Sequence, residues 1–107
     1  MSEIERDMMV HNAVERVSKA LGDVSTAEIW GKDRHFKVAT ARQLVFWYLF
    51  NVCKMSWSDI GRAMGKHHAT AMYGERQISI MLERNHTKED RRIYEAAEVL
   101  RHGDKGV

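Results

Sequence analysis

Apolar residues recur with a helical period along most of the chain and divide it into a small number of predicted helices. The first such stripe lies in the range 8–21. Its members are Met9, Val10, Ala13, Val14, Val17, Ala20 and Leu21. Gly22 follows the last of them, so the pattern predicts a helix that ends there. The range 1–6 before the stripe is polar, and we expect it to be frayed.

A short helical turn and a basic loop are predicted next. Ser25 is followed by Glu28 three residues later, which is the spacing of a capping box and predicts a helix start. The range 31–38 is basic and has no apolar period, so we interpret it as a loop. A basic loop is usually only a solvated surface, and the alternative is that Arg34 and Lys37 within it contact the minor groove or the backbone of DNA.

The range 39–53 predicts a central helix. It starts amphipathic and then becomes apolar on every face, a pattern typical of a helix that packs on several sides. Its aromatic residues are therefore interpreted as core. Arg42 and Gln43 lie near its polar N-terminal end, where we expect them to hold a phosphate with the help of the helix dipole.

The range 56–80 predicts two helices joined by a tight turn. Ser56 is the expected N-cap of the first helix, and Gly65 is the expected stop. The second helix is predicted to run to about Arg84, with the polar range 66–70 at its start. This is the arrangement of a helix-turn-helix, whose second helix enters the major groove of DNA by its first residues. The alternative is an αα-hairpin inside a helical bundle.

A last helix is predicted to begin after Thr87, with Asp90 in the capping-box position, and the range from 102 onward is interpreted as loose. The chain has 107 residues, 44% of them apolar, and no proline. These features favour one all-α domain, compact and of about six helices, that occupies residues 1–107 with an ordered core at about 8–101.

The positive charge is concentrated around the predicted helix-turn-helix. The net charge of the chain is only +2. However, the range 31–77 holds eight basic and three acidic residues, whereas the rest of the chain holds nine basic and twelve acidic ones. Such an asymmetry is expected where a protein meets phosphates.

Several kinds of chemistry lack their usual sequence pattern. The chain has no phosphate-binding P-loop and no G-x-S-x-G nucleophile motif, so we expect neither a nucleotide cofactor nor an enzyme. His67 and His68 are adjacent rather than four residues apart, so we expect no metal site. Cys53 is interpreted as a small core residue. The longest apolar run has seven residues, and no apolar leader starts the chain, so we expect a cytoplasmic protein with no membrane partner.

A resemblance to a known family rests on the range 37–78, KVATARQLVFWYLFNVCKMSWSDIGRAMGKHHATAMYGERQI. The positions that match are Val38, Ala39, Arg42, Gln43, Ser56, Asp59, Ile60, Gly61, Gly65, His68, Thr70, Arg76, Gln77 and Ile78. In these the chain resembles domain IV, the C-terminal DNA-binding domain, of the bacterial replication initiator DnaA. The resemblance covers roughly residues 8–100. It implies an all-helical module that binds a short duplex box, with an architecture related to the tryptophan repressor.

The resemblance also implies roles by position. Arg34 matches an arginine that enters the minor groove, while Arg42 and Gln43 match residues that contact the backbone. Together with the sequence patterns above, this gives a predicted set of DNA-binding residues: Arg34, Lys37, Arg42, Gln43, Ser56, Trp57, Ser58, Lys66, His67, His68, Ala69 and Thr70. In this set His68 is suited to offer a ring N–H to a base, and Ala69 to touch a thymine methyl.

The start of the second helix of the pair, the helix that would enter the major groove, also departs from the family pattern. His67 stands where the family has an acidic residue, so an acceptor for a cytosine amino group is lost, and so is a good helix cap unless His67 is neutral. Ala69 replaces one of two threonines. These differences predict DNA affinity with an altered choice of sequence.

The leading hypothesis is a stand-alone double-stranded-DNA-binding protein from a bacterium, phage or mobile element, linked to replication initiation or its regulation. The family's ATPase module is not in this sequence, so we expect no ATP-driven initiation by this chain alone. A replication protein is a second candidate partner, and the oligomeric state stays open. The alternatives are a protein-interaction module that has lost DNA binding and a dimeric helix-turn-helix transcriptional repressor.

Overall fold

Six helices and no strand make up residues 2–103, the part of the chain that the computed structural model describes. Their bounds are α1 Glu3–Leu21, α2 Thr26–Trp30, α3 Phe36–Asn51, α4 Trp57–Met64, α5 His68–Arg84 and α6 Lys88–His102. The predicted all-α fold of about six helices is confirmed. The range from 102 onward was predicted to be loose, which is wrong for His102, because this residue is helical. The rest of that prediction, residues 104–107, lies outside the described part of the chain.

Most helix ends lie where local signals predicted them. Ser25 and Glu28 form a complete capping box, with bonds of 2.8 and 3.1 Å. Thr87 and Asp90 form another at the start of α6. The φ angles of Gly22 and Gly65 are 81° and 67°, in the left-handed region that favours glycine at the end of a helix.

Two predicted helix starts are wrong. Residues 3–6 are helical rather than frayed, because Ser2 caps α1 in a capping box with Glu5. The helix α3 begins at Phe36, so Lys37 and Val38 belong to its first turn rather than to a loop. Val38 is buried, and this burial anchors the first turn of α3 to the core although the segment is basic.

The helix α3 is the centre of the fold, as its apolar faces predicted. It contacts each of the other five helices. Leu44, Val45 and Leu49 are fully buried, and Trp47 and Tyr48 are nearly so, which confirms them as core residues. Cys53, at the end of this segment, is half-buried, and burial raises the pKa of its thiol. Within residues 2–103, none of the helices combines the length and the apolar character that a membrane crossing requires.

Two ion pairs join the α4–α5 pair to other helices, one between α1 and α4 and one between α5 and α6. The buried guanidinium of Arg6 in α1 lies 3.4 Å from the carboxylate of Asp59 in α4. At the other end, the fully buried carboxylate of Asp90 accepts two bonds from Arg84, of 2.8 and 2.6 Å. It also accepts the backbone N–H groups of His86 and Thr87. These donors, with Arg84 foremost, hold the pKa of Asp90 well below its usual range.

Candidate nucleic-acid interface

A tight turn joins α4 to α5, and a glycine in α4 makes it possible. The carbonyl of Gly61 accepts the backbone N–H of Lys66 at 2.8 Å. A Cβ atom at Gly61 would lie 2.6 Å from the carbonyl oxygen of Lys66 and 3.2 Å from the nitrogen of His68. Any larger residue would therefore push α4 away from the start of α5. The geometry is that of a helix-turn-helix.

The tip of this helix pair is the range 65–70, and it lies at the surface. Each of its residues is exposed, whereas Ala71, Ile78 and Met81 on the opposite side of α5 are buried. The polar start of α5 is therefore available to a partner, and the apolar face holds the helix on the core.

The start of α5 is capped by a histidine. The Nδ1 atom of His67 accepts the backbone N–H of Ala69 at 3.1 Å. The ring of His67 also stacks on the ring of His68, with centroids 4.2 Å apart. A cap of this kind requires an unprotonated Nδ1 atom, so His67 supplies in its neutral form the cap that the family's acidic residue would give.

A groove of about 270 Å³ runs between α3 and α5 beside the tip. We call it the α3–α5 groove, and its lining residues are Ala39, Arg42, Gln43, Phe46, Lys66, Thr70, Tyr73 and Gly74. Arg42 and Gln43 line the same groove as Lys66 and Thr70. The structure therefore brings the polar side of the central helix and the tip onto one side of the molecule.

The side chain of Arg42 has a structural role in this arrangement. Its Nε and Nη2 atoms donate to the carbonyls of Ile29 and Glu28 at 2.7 and 2.8 Å, so it binds the C-terminal end of α2. Arg42 is the seventh residue of α3, so the prediction that the N-terminal dipole of this helix assists it is wrong. Burial lowers the pKa of its guanidinium, and the negative charge of Asp33 acts in the opposite direction.

The loop between α2 and α3 carries Arg34 and leads into the first turn of α3. Arg34 is exposed and has no ion pair within residues 2–103. Its neighbour Asp33 accepts hydrogen bonds from the backbone and the ring Nδ1–H of His35, at 2.8 and 2.6 Å. This contact raises the pKa of His35 and lowers that of Asp33.

Other predicted site residues lie away from the α3–α5 groove. Lys37 forms an ion pair of 3.2 Å with Asp23, on the side where Arg92 also binds that carboxylate. The hydroxyl of Ser56 accepts the backbone N–H of Asp59 as the N-cap of α4. Ser58 is exposed, and the half-buried ring of Trp57 stacks on Phe50 with centroids 3.9 Å apart. A role for these residues in DNA binding stays a prediction.

Two exposed residues of α5 were not among the predicted site residues. Tyr73 is 60% exposed and lines the groove, and Arg76 is exposed with no ion pair in the described part of the chain. A signal for Tyr73 was present in the sequence: residues 70 and 73 are three positions apart in the second helix of the pair, so they share one helix face.

The comparison with protein families decides the identity of the fold. The model of the bacterial DnaA protein helix-turn-helix matches residues 10–78, more than half of the chain. The chain belongs to this DnaA helix-turn-helix family. The match contains α4, the turn and the first part of α5, and therefore the whole tip. It confirms the resemblance to DnaA domain IV, and with it the helix-turn-helix interpretation of the α4–α5 pair.

Membership of the DnaA helix-turn-helix family also fixes the general kind of activity. The family is a DNA-binding domain rather than a catalytic one, so double-stranded DNA is the kind of partner that the match supports. Within residues 2–103, no group of three or more potential metal ligands comes together.

Proposed function

We propose that this chain binds duplex DNA by placing the start of α5 in the major groove and the α2–α3 loop on the neighbouring backbone. The observation that carries the proposal is the shared lining of the α3–α5 groove, where Lys66 and Thr70 of the tip lie with Arg42 and Gln43. A duplex that contacts the tip would therefore also contact the polar side of α3.

Unpaired cations of the α2–α3 loop and of the α4–α5 pair support phosphate binding. Lys32, Arg34, Arg62, Lys66 and Arg76 are exposed, and none has an ion pair within the described residues. Cations without an internal partner are free to neutralise phosphates, and the counterions that DNA then releases supply most of the affinity. Phosphate contacts position the protein, and a few base contacts choose the sequence.

Base contacts are proposed for the side chains at the tip. His68 is exposed and would offer a ring N–H to an acceptor in the major groove, while the methyl group of Ala69 would meet a thymine methyl. His67 uses its Nδ1 atom in the helix cap, which leaves only its Nε2 atom for DNA. The preferred site should therefore differ from one read by an acidic residue at this position.

For the biological process, we propose regulation of replication initiation, through sites that DnaA-type proteins recognise. A chain with the DnaA helix-turn-helix would occupy such sites or compete for them. A transcriptional repressor that acts at similar sites uses the same surface, and the choice between the two depends on where the preferred sequences lie in the genome.

A second candidate function is a protein-interaction module on the same fold. Met72 and Tyr73 are exposed apolar residues directly after the tip, and exposed apolar groups of this kind are common where proteins bind each other. Under this alternative, the tip region would bind a protein and show no affinity for DNA.

Fluorescence anisotropy with labelled duplexes distinguishes these functions. The duplexes would be drawn from a random pool, enriched by repeated selection for binding, and compared with an unselected duplex. We expect salt-sensitive binding to both and tighter binding to the selected one, with log K falling linearly against log salt. If neither duplex binds at low salt, the proposal is wrong and the interaction module is favoured.

A further inference from the structure

The α3–α5 groove has an exposed aromatic wall with no assigned role. Tyr73 is 60% exposed, although the next residue, Gly74, is buried. An aromatic ring exposed to this extent gains apolar contact if a ligand covers it.

The floor of the groove is a close contact between α3 and α5. A Cβ atom at Gly74 would lie 2.7 Å from Cδ2 of Phe46 and 3.1 Å from Cγ of Gln43. The two helices can approach this closely only because residue 74 has no side chain. The floor is therefore shallow and fixed, and the ring of Tyr73 stands beside it as a wall.

Polar groups from the turn and from α5 line the groove together with the ring. Lys66, Thr70 and Tyr73 follow one another along the groove, and Thr70 and Tyr73 are separated by about 4.5 Å along the helix axis. The ammonium of Lys66 has no ion pair within residues 2–103. A ligand in the groove would thus meet a cation and a hydroxyl at one end and an aromatic ring at the other.

This combination fits one deoxyribose–phosphate unit of the DNA backbone. Its phosphate is anionic, and its sugar presents C–H groups to a ring. The volume of about 270 Å³ is too small for a base pair. A single base would have to leave the duplex stack, which costs a few kcal/mol. A backbone unit already lies on the outside of the duplex and pays no such cost.

We propose that the α3–α5 groove binds one backbone unit of the duplex, with the sugar packed against the ring of Tyr73 and the phosphate beside Lys66 and Thr70. This inference rests on the proposed duplex-binding function and adds Tyr73 to it as a contact residue. Because every nucleotide carries the same sugar, the contact strengthens binding without choosing a sequence.

The test compares Tyr73→Ala, Tyr73→Phe and Lys66→Ala with a matched control, Tyr94→Ala. Tyr94 is 39% exposed and lies on α6, which contributes no lining residue to the groove. Anisotropy titrations would use the selected and the unselected duplex over a range of salt concentrations. All titrations would be run well below the lowest melting midpoint of the set, so that every variant is folded.

We expect Tyr73→Ala to weaken binding to both duplexes about fivefold, because apolar contact area is lost. Its salt slope should equal that of the wild type, since no charge is removed. Tyr73→Phe and Tyr94→Ala should bind like the wild type. Lys66→Ala should weaken binding and lower the salt slope by about one, as expected for one lost phosphate contact.

Each other outcome overturns the inference in a recognisable way. If the wild type binds and Tyr73→Ala binds equally well, the ring does not touch DNA, while the proposed function stands. If Tyr73→Phe loses as much as Tyr73→Ala, the contact is a hydrogen bond from the hydroxyl and not sugar packing. If Tyr73→Ala affects only the selected duplex, Tyr73 reads a base. If the wild type binds no duplex, the proposed function fails and the inference with it.

Discussion

The Nδ1 atom of His67 lies 3.1 Å from the backbone nitrogen of Ala69 and accepts its hydrogen bond. The first turn of the recognition helix α5 is thus closed by a side chain that can also carry a proton. A protonated Nδ1 atom is a donor and can no longer accept this bond, and its positive charge would face the positive end of the helix dipole. The bond that closes the first turn of α5 therefore needs an Nδ1 atom that carries no hydrogen.

The role of His67 as a cap predicts a specific loss of stability. His67→Ala should lower the free energy of unfolding by about 0.5–1 kcal/mol, in the lower part of the range for N-cap removal. His67→Asn should retain the wild-type value, because asparagine is a good N-cap. Urea denaturation at pH 7.5 measures both. His68→Ala is the control, and a loss as large as that of His67→Ala would show that the cap is not the cause.

The close contact at Gly61 predicts that the helix-turn-helix does not tolerate a methyl group there. Gly61→Ala should lower the free energy of unfolding by about 1–3 kcal/mol, since its Cβ would clash with the carbonyl of Lys66. Denaturation by urea gives the value. Arg62→Ala, an exposed change on the same helix, should stay within about 0.5 kcal/mol of the wild type. A Gly61→Ala variant as stable as the wild type would contradict the observed turn.

The buried carboxylate of Asp90 predicts a pH dependence of stability. Its pKa is lower in the folded protein than the 3.8 of a free side chain, so its contribution is complete above that value. The contribution is lost as the pH falls through the lowered pKa. Asp90→Asn should therefore be less stable than the wild type at pH 6, and the difference should shrink below about pH 4. Thermal melts across this range test it, and a gap that widens in acid would contradict it.

The two bonds from Arg42 to the end of α2 predict that this residue stabilises the fold apart from any contact with DNA. Arg42→Ala should lower the free energy of unfolding by about 1–3 kcal/mol, because the carbonyls of Glu28 and Ile29 lose a charged donor. Arg76→Ala removes an equal charge from an exposed site without an ion pair in the described residues. Equal unfolding free energies for the two variants would argue against this role.

The parts of the fold that were predicted correctly depend on local signals. The capping boxes at Ser25 and Thr87 and the stops at Gly22 and Gly65 involve residues only a few positions apart, so the sequence alone reveals them. The same kind of signal was present at Ser2 and Glu5. There the polar composition of the first residues outweighed it, and the start of α1 was placed too late.

The parts that could not be predicted depend on contacts between distant segments. The bonds of Arg42 to α2 and the ion pair of Lys37 with Asp23 join residues that are more than ten positions apart. A sequence pattern identifies both as basic residues, but it does not show that their charges are already bound within the protein. The α3–α5 groove is likewise a product of tertiary packing, since Gly74 and Phe46 meet only when the two helices cross.

The most direct measurement is the salt dependence of duplex binding for two matched double variants. Arg34→Ala with Lys66→Ala removes two exposed cations, one from the α2–α3 loop and one from the tip, and Lys88→Ala with Arg91→Ala removes two from α6. We expect the first pair to bind more weakly, with a salt slope reduced by about two, and the second pair to bind with the wild-type slope. Equal slopes for the two pairs, or no binding by the wild type at low salt, would contradict duplex binding by this surface.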